Sequence, residues 1–360
     1  MNISPSVKTS SFVALTRIYL GLLLLCALLI VISLMIGASR RQAVISFVSS
    51  SDQGANVLQL MDIDEGHMLR IGENIIHCCT AWSPNGHEII FDTLYGQNKY
   101  PVKSLYRMNA DGRQTGPLLS LSVSELGAQT GVWSPDGHYV AYISFRFQGV
   151  TDIALLDTQT GETRRLTNSP TYYEAPVWSP DGRFIVFTSQ QGRDNWDICR
   201  INADGSAFQN LTNAQGSDTL PAVSPDGQVI VFISNRTGKQ ELYMMDADGK
   251  NVHSLTTTPT LQMAPSWSPD GRYILFVSED KSGNAQINRL NADGSDLRPL
   301  TSISGTDTPP IWSPDGKQIL FVSTDDSGKA HVYIMDANGE NRRWLTDDNN
   351  RKTDLAWQPS

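Results

Sequence analysis

A five-residue phrase, Trp-Ser-Pro-Asp-Gly, recurs along this chain at nearly constant spacing and constrains the fold more than any other feature. It is complete at Trp133, Trp178, Trp267 and Trp312, begins with Val223 in one copy, carries Asn85 for Asp after Trp82, and ends the chain in part as Trp357-Gln358-Pro359. Successive copies lie 51, 45, 45, 44, 45 and 45 residues apart. A unit of that size cannot bury its apolar face alone, so it must stack on neighbours in a solenoid or a ring. Six of the eight tryptophans take the first position, which makes Trp a structural part of the unit.

Within each period, short β-branched and aromatic runs alternate with Gly, Asp, Asn and Pro clusters, the pattern of strands joined by turns. The period starting at Trp267 reads as a strand ending at the motif, a turn, strands over 272–278 and 286–290, a second turn, and a strand over 296–301. Each repeat is therefore a four-stranded meander. In the motif, Pro presets φ for a type I turn, Asp suits the second corner, and Gly supplies the positive φ that closes the hairpin. The recurring Asp is thus a turn residue rather than a catalytic one. "NADG" and "DADG" play the same part; they lack the further oxygens and closing Glu of a calcium loop, and no metal is predicted.

Second-strand patterns occur seven times, beginning at 43–48, and first-strand patterns also occur seven times, but out of phase. The chain enters on a second strand and leaves on the first strand "LAWQPS", so the last segment should complete the first blade. Such closure removes exposed sheet edges. The prediction is an all-β, seven-bladed β-propeller over 43–360, of four-stranded antiparallel blades, closed by strands from the two ends of the chain.

The motif, followed by an apolar strand, "LYMMDADG" (242–249) and "VHSLT" (252–256), resembles the WD40-like PD40 repeat of TolB-type propellers. The resemblance covers 43–360. It implies a scaffold in the cell envelope that docks a protein, peptide or glycan.

Residues 1–17 form a short tail, 18–39 carry no charge, and 40–42 make a short basic linker. At 1.5 Å per residue the uncharged stretch spans roughly 33 Å, enough for a bilayer core of about 30 Å. It is predicted to be a transmembrane helix or signal anchor, longer than the h-region of a cleaved signal peptide. The expected arrangement is single-pass, with a monomeric propeller outside the cytoplasm, periplasmic or on the cell surface. Residues 43–360 carry 24 basic against 37 acidic side chains, which repels phosphate backbones and argues against nucleic acid. Cys78, Cys79 and Cys199 show no disulfide framework, read as small buried hydrophobes, and a bond between the adjacent pair would be strained.

Tight turns share one face of such a ring and longer connections the other, where sequence varies without disturbing the scaffold. Residues just before each first strand are expected to ring the channel mouth there: His77, Gln129, Tyr173, Glu174, Asp218, Gln262, Asp307 and Lys352. Loops bearing Tyr95, Phe147 and Trp196 flank them. Glu174, Asp218 and Asp307 should converge against Lys352 and favour a basic protein or peptide. No catalytic residue or cofactor is predicted. There is no G-x-S-x-G elbow, and of six histidines only His77 maps to the mouth. A structural or sensory ectodomain, or a propeller hydrolase or lyase relative without catalytic residues, is the alternative.

Overall fold

The computed structural model describes residues 43–359 apart from 52–55, 72–77, 96–101, 120–126, 147–148, 258–260, 280–283, 302, 305–308, 325–326 and 349. The predicted anchor at 18–39 lies outside the described residues, and among those described no helix is long and apolar enough to cross a membrane.

The repeats fold into seven antiparallel sheets that follow one another around a ring. Six of them are formed by consecutive strands; the fourth blade, for example, comprises Tyr173–Trp178, Phe184–Gly192, Asn195–Asn202 and Gln209–Asn210. First strands of successive blades touch one another, which places them innermost. The remaining sheet joins the ends of the chain: Arg351–Trp357 pairs with Val44–Ser50, Ile45 opposite Trp357 and Ser50 opposite Arg351. The chain is a seven-bladed propeller closed as the repeat phase predicts. The sixth blade adds a strand, Ile303–Ser304, on the edge of Asn284–Asn291.

The motif works as a turn in each of its six full-length copies, the Gly N–H donating to the motif Ser carbonyl. In the fourth blade the Ser179 hydroxyl donates to Asp181 Oδ1 at 2.7 Å and accepts the Phe184 N–H at 3.0 Å, while Gly182 takes φ +69°. In the fifth, the Ser224 hydroxyl and then the Gln228 N–H hold the Asp226 carboxyl below its usual range. Each motif Gly also faces the motif Pro of the preceding blade, as Gly182 faces Pro135 and Gly227 faces Pro180, so the hairpins stack around the ring. At the junction Gly86 meets the Pro359 carbonyl, and the Gln358 side chain donates to the Gly86 carbonyl at 2.8 Å.

The tryptophans tie blade to blade. Nε1 of Trp133, Trp178, Trp267 and Trp312 donates to the carbonyl of Ala81, Val132, Ala222 and Ser266, respectively, each just before the motif of the preceding blade. Trp82 instead reaches the Ser46 hydroxyl at 2.8 Å. Trp82, Trp178 and Trp312 are buried, whereas Trp133, Trp267 and Trp357, and Val223 in the substituted copy, are half-buried.

The core lies between blades. One ring per blade is fully buried in the second strand: Phe47, Phe91, Tyr142, Phe187, Phe232, Phe276 and Phe321. Truncating such a ring removes about 3–5 kcal/mol. The outer strands are shorter than their sequence suggests, only Arg298–Pro299 where 296–301 was expected. A Leu-Thr pair ends the pairing: Leu300 N–H donates to the Ile287 carbonyl at 2.8 Å, and the Thr301 hydroxyl accepts the Ile287 N–H at 3.0 Å. The same clasp recurs at Thr167, Thr212, Thr256 and Thr346.

Candidate functional site

The inner strands begin at the loop end of the channel, and a bulge there decides which side chains face it. Register shifts between Cys78 and Ala81, Gln129 and Val132, Glu174 and Val177, Thr219 and Ala222, and Met263 and Ser266. The residue three before the motif takes left-handed φ at Cys79, Thr130, Ala175, Leu220 and Asp354. Such a bulge bends the strand and re-aims its side chains. Residues five before the motif consequently turn into the blades, while those four and three before it are more exposed.

This corrects the predicted ring. Tyr173, Asp218 and Lys352 are buried, not on the rim. Tyr173 packs edge-on against Phe187 at 5.5 Å, and burial pushes its phenol pKa up. Asp218 is paired with Arg236, Oδ2 to Nη2 2.9 Å, and Arg236 lies over the Tyr243 ring at 4.8 Å. Lys352 Nζ donates to Asp348 Oδ1 at 2.5 Å and to the Asn350 carbonyl at 2.6 Å. Gln129 is half-buried and Glu174 exposed, as a rim requires. His77 and Asp307 lie outside the described residues, as does the side chain of Gln262. Of the flanking loop residues Trp196 is half-buried, while Phe147 and the side chain of Tyr95 fall outside.

A polar cluster that the sequence reading missed links the first three blades. Asp92 is buried, and both its oxygens accept the Thr130 N–H of the next blade at 3.0 Å. Burial pushes its pKa up to about 7, against the lowering effects of the Thr130 hydrogen bond and of Lys103; Asp354 pushes it further up. Lys103 Nζ donates to Gln129 Oε1 at 2.6 Å. Asp354 Oδ1 in turn accepts the Cys79 N–H at 3.0 Å. Contrary to expectation Cys79 is disulfide-bonded. Cys199 is a free buried thiol, as expected, its pKa pushed up to about 12 by burial. The signal for Asp92 was in the repeats: the equivalent positions hold Val48, Ile143, Thr188, Ile233, Val277 and Val322.

Several cations near this end face acceptors within the chain, whereas Arg193, Lys239 and Arg351 are exposed. Besides Arg236, Lys352 and Lys103, Arg146 pairs with buried Asp152, Nε to Oδ2 2.7 Å. Glu174 is exposed and makes no ion pair among the described residues.

Solved structures similar in fold include a putative TolB from Agrobacterium tumefaciens, 22% identical, covering 82% of this chain and 98% of that one with a TM-score of 0.55. An oligogalacturonate lyase in complex with manganese is 18% identical over 81% of this chain and 85% of its own, with a TM-score of 0.68. A puromycin-hydrolyzing peptidase from Mycobacterium tuberculosis is 17% identical over 84% of this chain and 53% of its own, also at 0.68. These likenesses establish the fold and leave the activity open, since they join TolB to lyase and peptidase propellers. No curated protein matches the chain. The family model described as PD40, TolB beta propeller domain, matches residues 120–360, and the chain belongs to that family.

Proposed function

We propose that the chain is a membrane-tethered, non-catalytic propeller in the cell envelope that binds a protein or peptide on its loop face through a basic segment. The carrying observation is Glu174, exposed and without an ion pair among the described residues, while its neighbours Arg146, Arg236 and Lys352 are committed to Asp152, Asp218 and Asp348. A free carboxylate in that position attracts a cationic segment and speeds its approach. The test is photo-crosslinking in intact cells from positions 129 and 174, with position 344 on the outer rim as control. One envelope protein captured from the mouth, and captured less after Glu174→Lys at the neighbouring probe, supports the reading. Equal capture from position 344, or none from the mouth, overturns it.

A further inference from the structure

Glu88 breaks a column of seam-filling residues. The equivalent positions in the other blades hold Val44, Tyr139, Phe184, Val229, Tyr273 and Gln318. In the sixth blade the Tyr273 ring packs against the next blade: it stacks on Trp312 with centroids 6.4 Å apart, and the Arg289 guanidinium lies 4.5 Å from its centre. Arg289 also reaches across the seam to the Ala337 carbonyl at 2.8 Å. The fourth blade repeats the arrangement, with Arg200 at 3.9 Å from the centre of the Phe184 ring and bonded to the Ala247 carbonyl. The second blade keeps the arginine, Arg107, and the neighbouring indole, Trp133, but supplies no ring of its own. Arg107 lies 3.7 Å from Glu88 instead, and both stay partly open to water. A hollow of about 460 Å³ stands at this seam, with Trp133, Arg107, Glu88, Asn85, Asp136 and Thr158 among its lining residues. The altered motif of this blade points into the same hollow. Asn85 Oδ1 takes the part of the motif Asp, accepting the Ser83 hydroxyl at 2.7 Å and the His87 N–H at 3.0 Å. Its other side-chain atom is a donor, Nδ2, where the other copies carry a carboxylate oxygen.

We propose that this seam binds a neutral hexopyranose unit, stacked on Trp133 and hydrogen-bonded by Arg107, Glu88, Asp136 and Asn85. The slot is ring-sized, since a Tyr ring fills its counterpart on Trp312. One aromatic wall beside a few convergent polar groups is the ordinary make-up of a small-ligand site. A pyranose offers an apolar face to the indole and hydroxyls that both donate and accept, matching two carboxylates and the N–H groups of Arg and Asn. An aromatic ring would suit Trp133 but leave those polar groups unmatched. An acidic sugar would meet Glu88 and Asp136, with Arg107 already opposed by Glu88. Stacking on the indole face leaves the Trp133 Nε1 bond to the Ala81 carbonyl in place. The site lies at the hairpin-turn end of the second and third blades, away from Glu174, and is independent of the loop-face reading.

The test uses the full-length chain, ¹⁵N-labelled at tryptophan and kept in a detergent without a sugar headgroup. It is titrated separately with maltohexaose, cellohexaose and N-acetylchitohexaose while the indole N–H signals are followed. A saturable shift at Trp133 with at least one of them, with Trp178, Trp267 and Trp312 unmoved, is expected. Glu88→Tyr fills the slot as in the sixth blade, and should weaken that binding at least tenfold without lowering the urea midpoint. Arg107→Gln should weaken it too. No Trp133 shift with any of the three sugars up to millimolar concentration overturns the proposal. So does unweakened binding in Glu88→Tyr, or a response to the peptide Gly-Tyr-Gly with none to the sugars. Should Glu88→Tyr fail to fold, Arg107→Gln decides, and unweakened binding there overturns the proposal.

Discussion

Both carboxylate oxygens of Asp92 accept the backbone N–H of Thr130 across the boundary between the second and third blades, at 3.0 Å each. Burial raises this carboxyl from an ordinary 3.8 to about 7, so the folded chain holds its proton more tightly than the unfolded one. The stabilisation is therefore fully present below about pH 4 and is lost as pH rises through about 7. At about 1.36 kcal/mol per unit, the change amounts to a few kcal/mol. Asp92→Asn keeps an oxygen for Thr130 and cannot ionise. Urea midpoints measured from pH 5 to 8 should fall more steeply for the wild type than for the variant, and parallel curves would remove Asp92 as the cause.

Phe232 is fully buried between blades, whereas Trp344 on an outer strand is 57% exposed. Phe232→Ala should lose about 3–5 kcal/mol of unfolding free energy. Trp344→Ala, stacked on His331 at 5.7 Å but open to solvent, should lose well under half of that. Equal losses in urea titrations would mean that the core does not lie between the blades.

The architecture was legible because it is written in local chemistry that repeats: each Ser-Pro-Asp-Gly forces a hairpin, and the interval fixes the number of blades. The site was not, because side chains alternate along a strand and a bulge of one residue reverses the alternation. Counting back from Trp178 to Tyr173 crosses that bulge, and the count assigned to the rim a ring that packs on Phe187. Counting to Glu174 happened to give an exposed residue. Asp92 was readable in principle, as the one acid in a column of Val, Ile and Thr, once the second strands are aligned rather than the turns. Lys352 and Asp218 carried charge, and charge alone does not distinguish a rim residue from one half of an internal pair.

Thr301 and Leu300 clasp both backbone groups of Ile287. Thr301→Val preserves shape and leaves the Ile287 N–H buried without its acceptor, a loss of about 1–3 kcal/mol. Amide exchange should accelerate at Ile287 more than at Ile198, which keeps its own clasp on Thr212. Uniform acceleration at the two sites would mean that the clasp acts on global stability alone.

Removing the residues after Thr353 deletes the pairs Ile45–Trp357 and Ser46–Ala356 and bares the inner edge of the Val44–Ser50 strand at its Ile45–Ser46 end, while the pairs of Val48, Ser49 and Ser50 remain. It also removes the Asp354 carboxylate from the Cys79 N–H. The truncated chain should unfold at lower temperature and associate through the open edge as concentration rises. Unchanged melting and sedimentation would mean that the two chain ends do not hold the ring shut.

Asp218 separates the structural role from the binding one. Its partner Arg236 is only partly accessible, so Asp218→Ala leaves a guanidinium without its counter-ion beneath Tyr243. The loss should be about 2–4 kcal/mol, less than for a fully buried pair because Arg236 keeps some contact with water and with the Ser234 hydroxyl. Asp218→Asn, which retains an acceptor, should lose less. Neither change should alter partner capture from position 174 once the yield is corrected for folded protein, because the Asp218 side chain does not reach the rim. Glu174→Gln should do the reverse, leaving the urea midpoint in place and slowing association at low salt. If capture falls with Asp218→Asn at full stability, the inner face of the fifth blade, rather than the exposed rim, is where the partner is read.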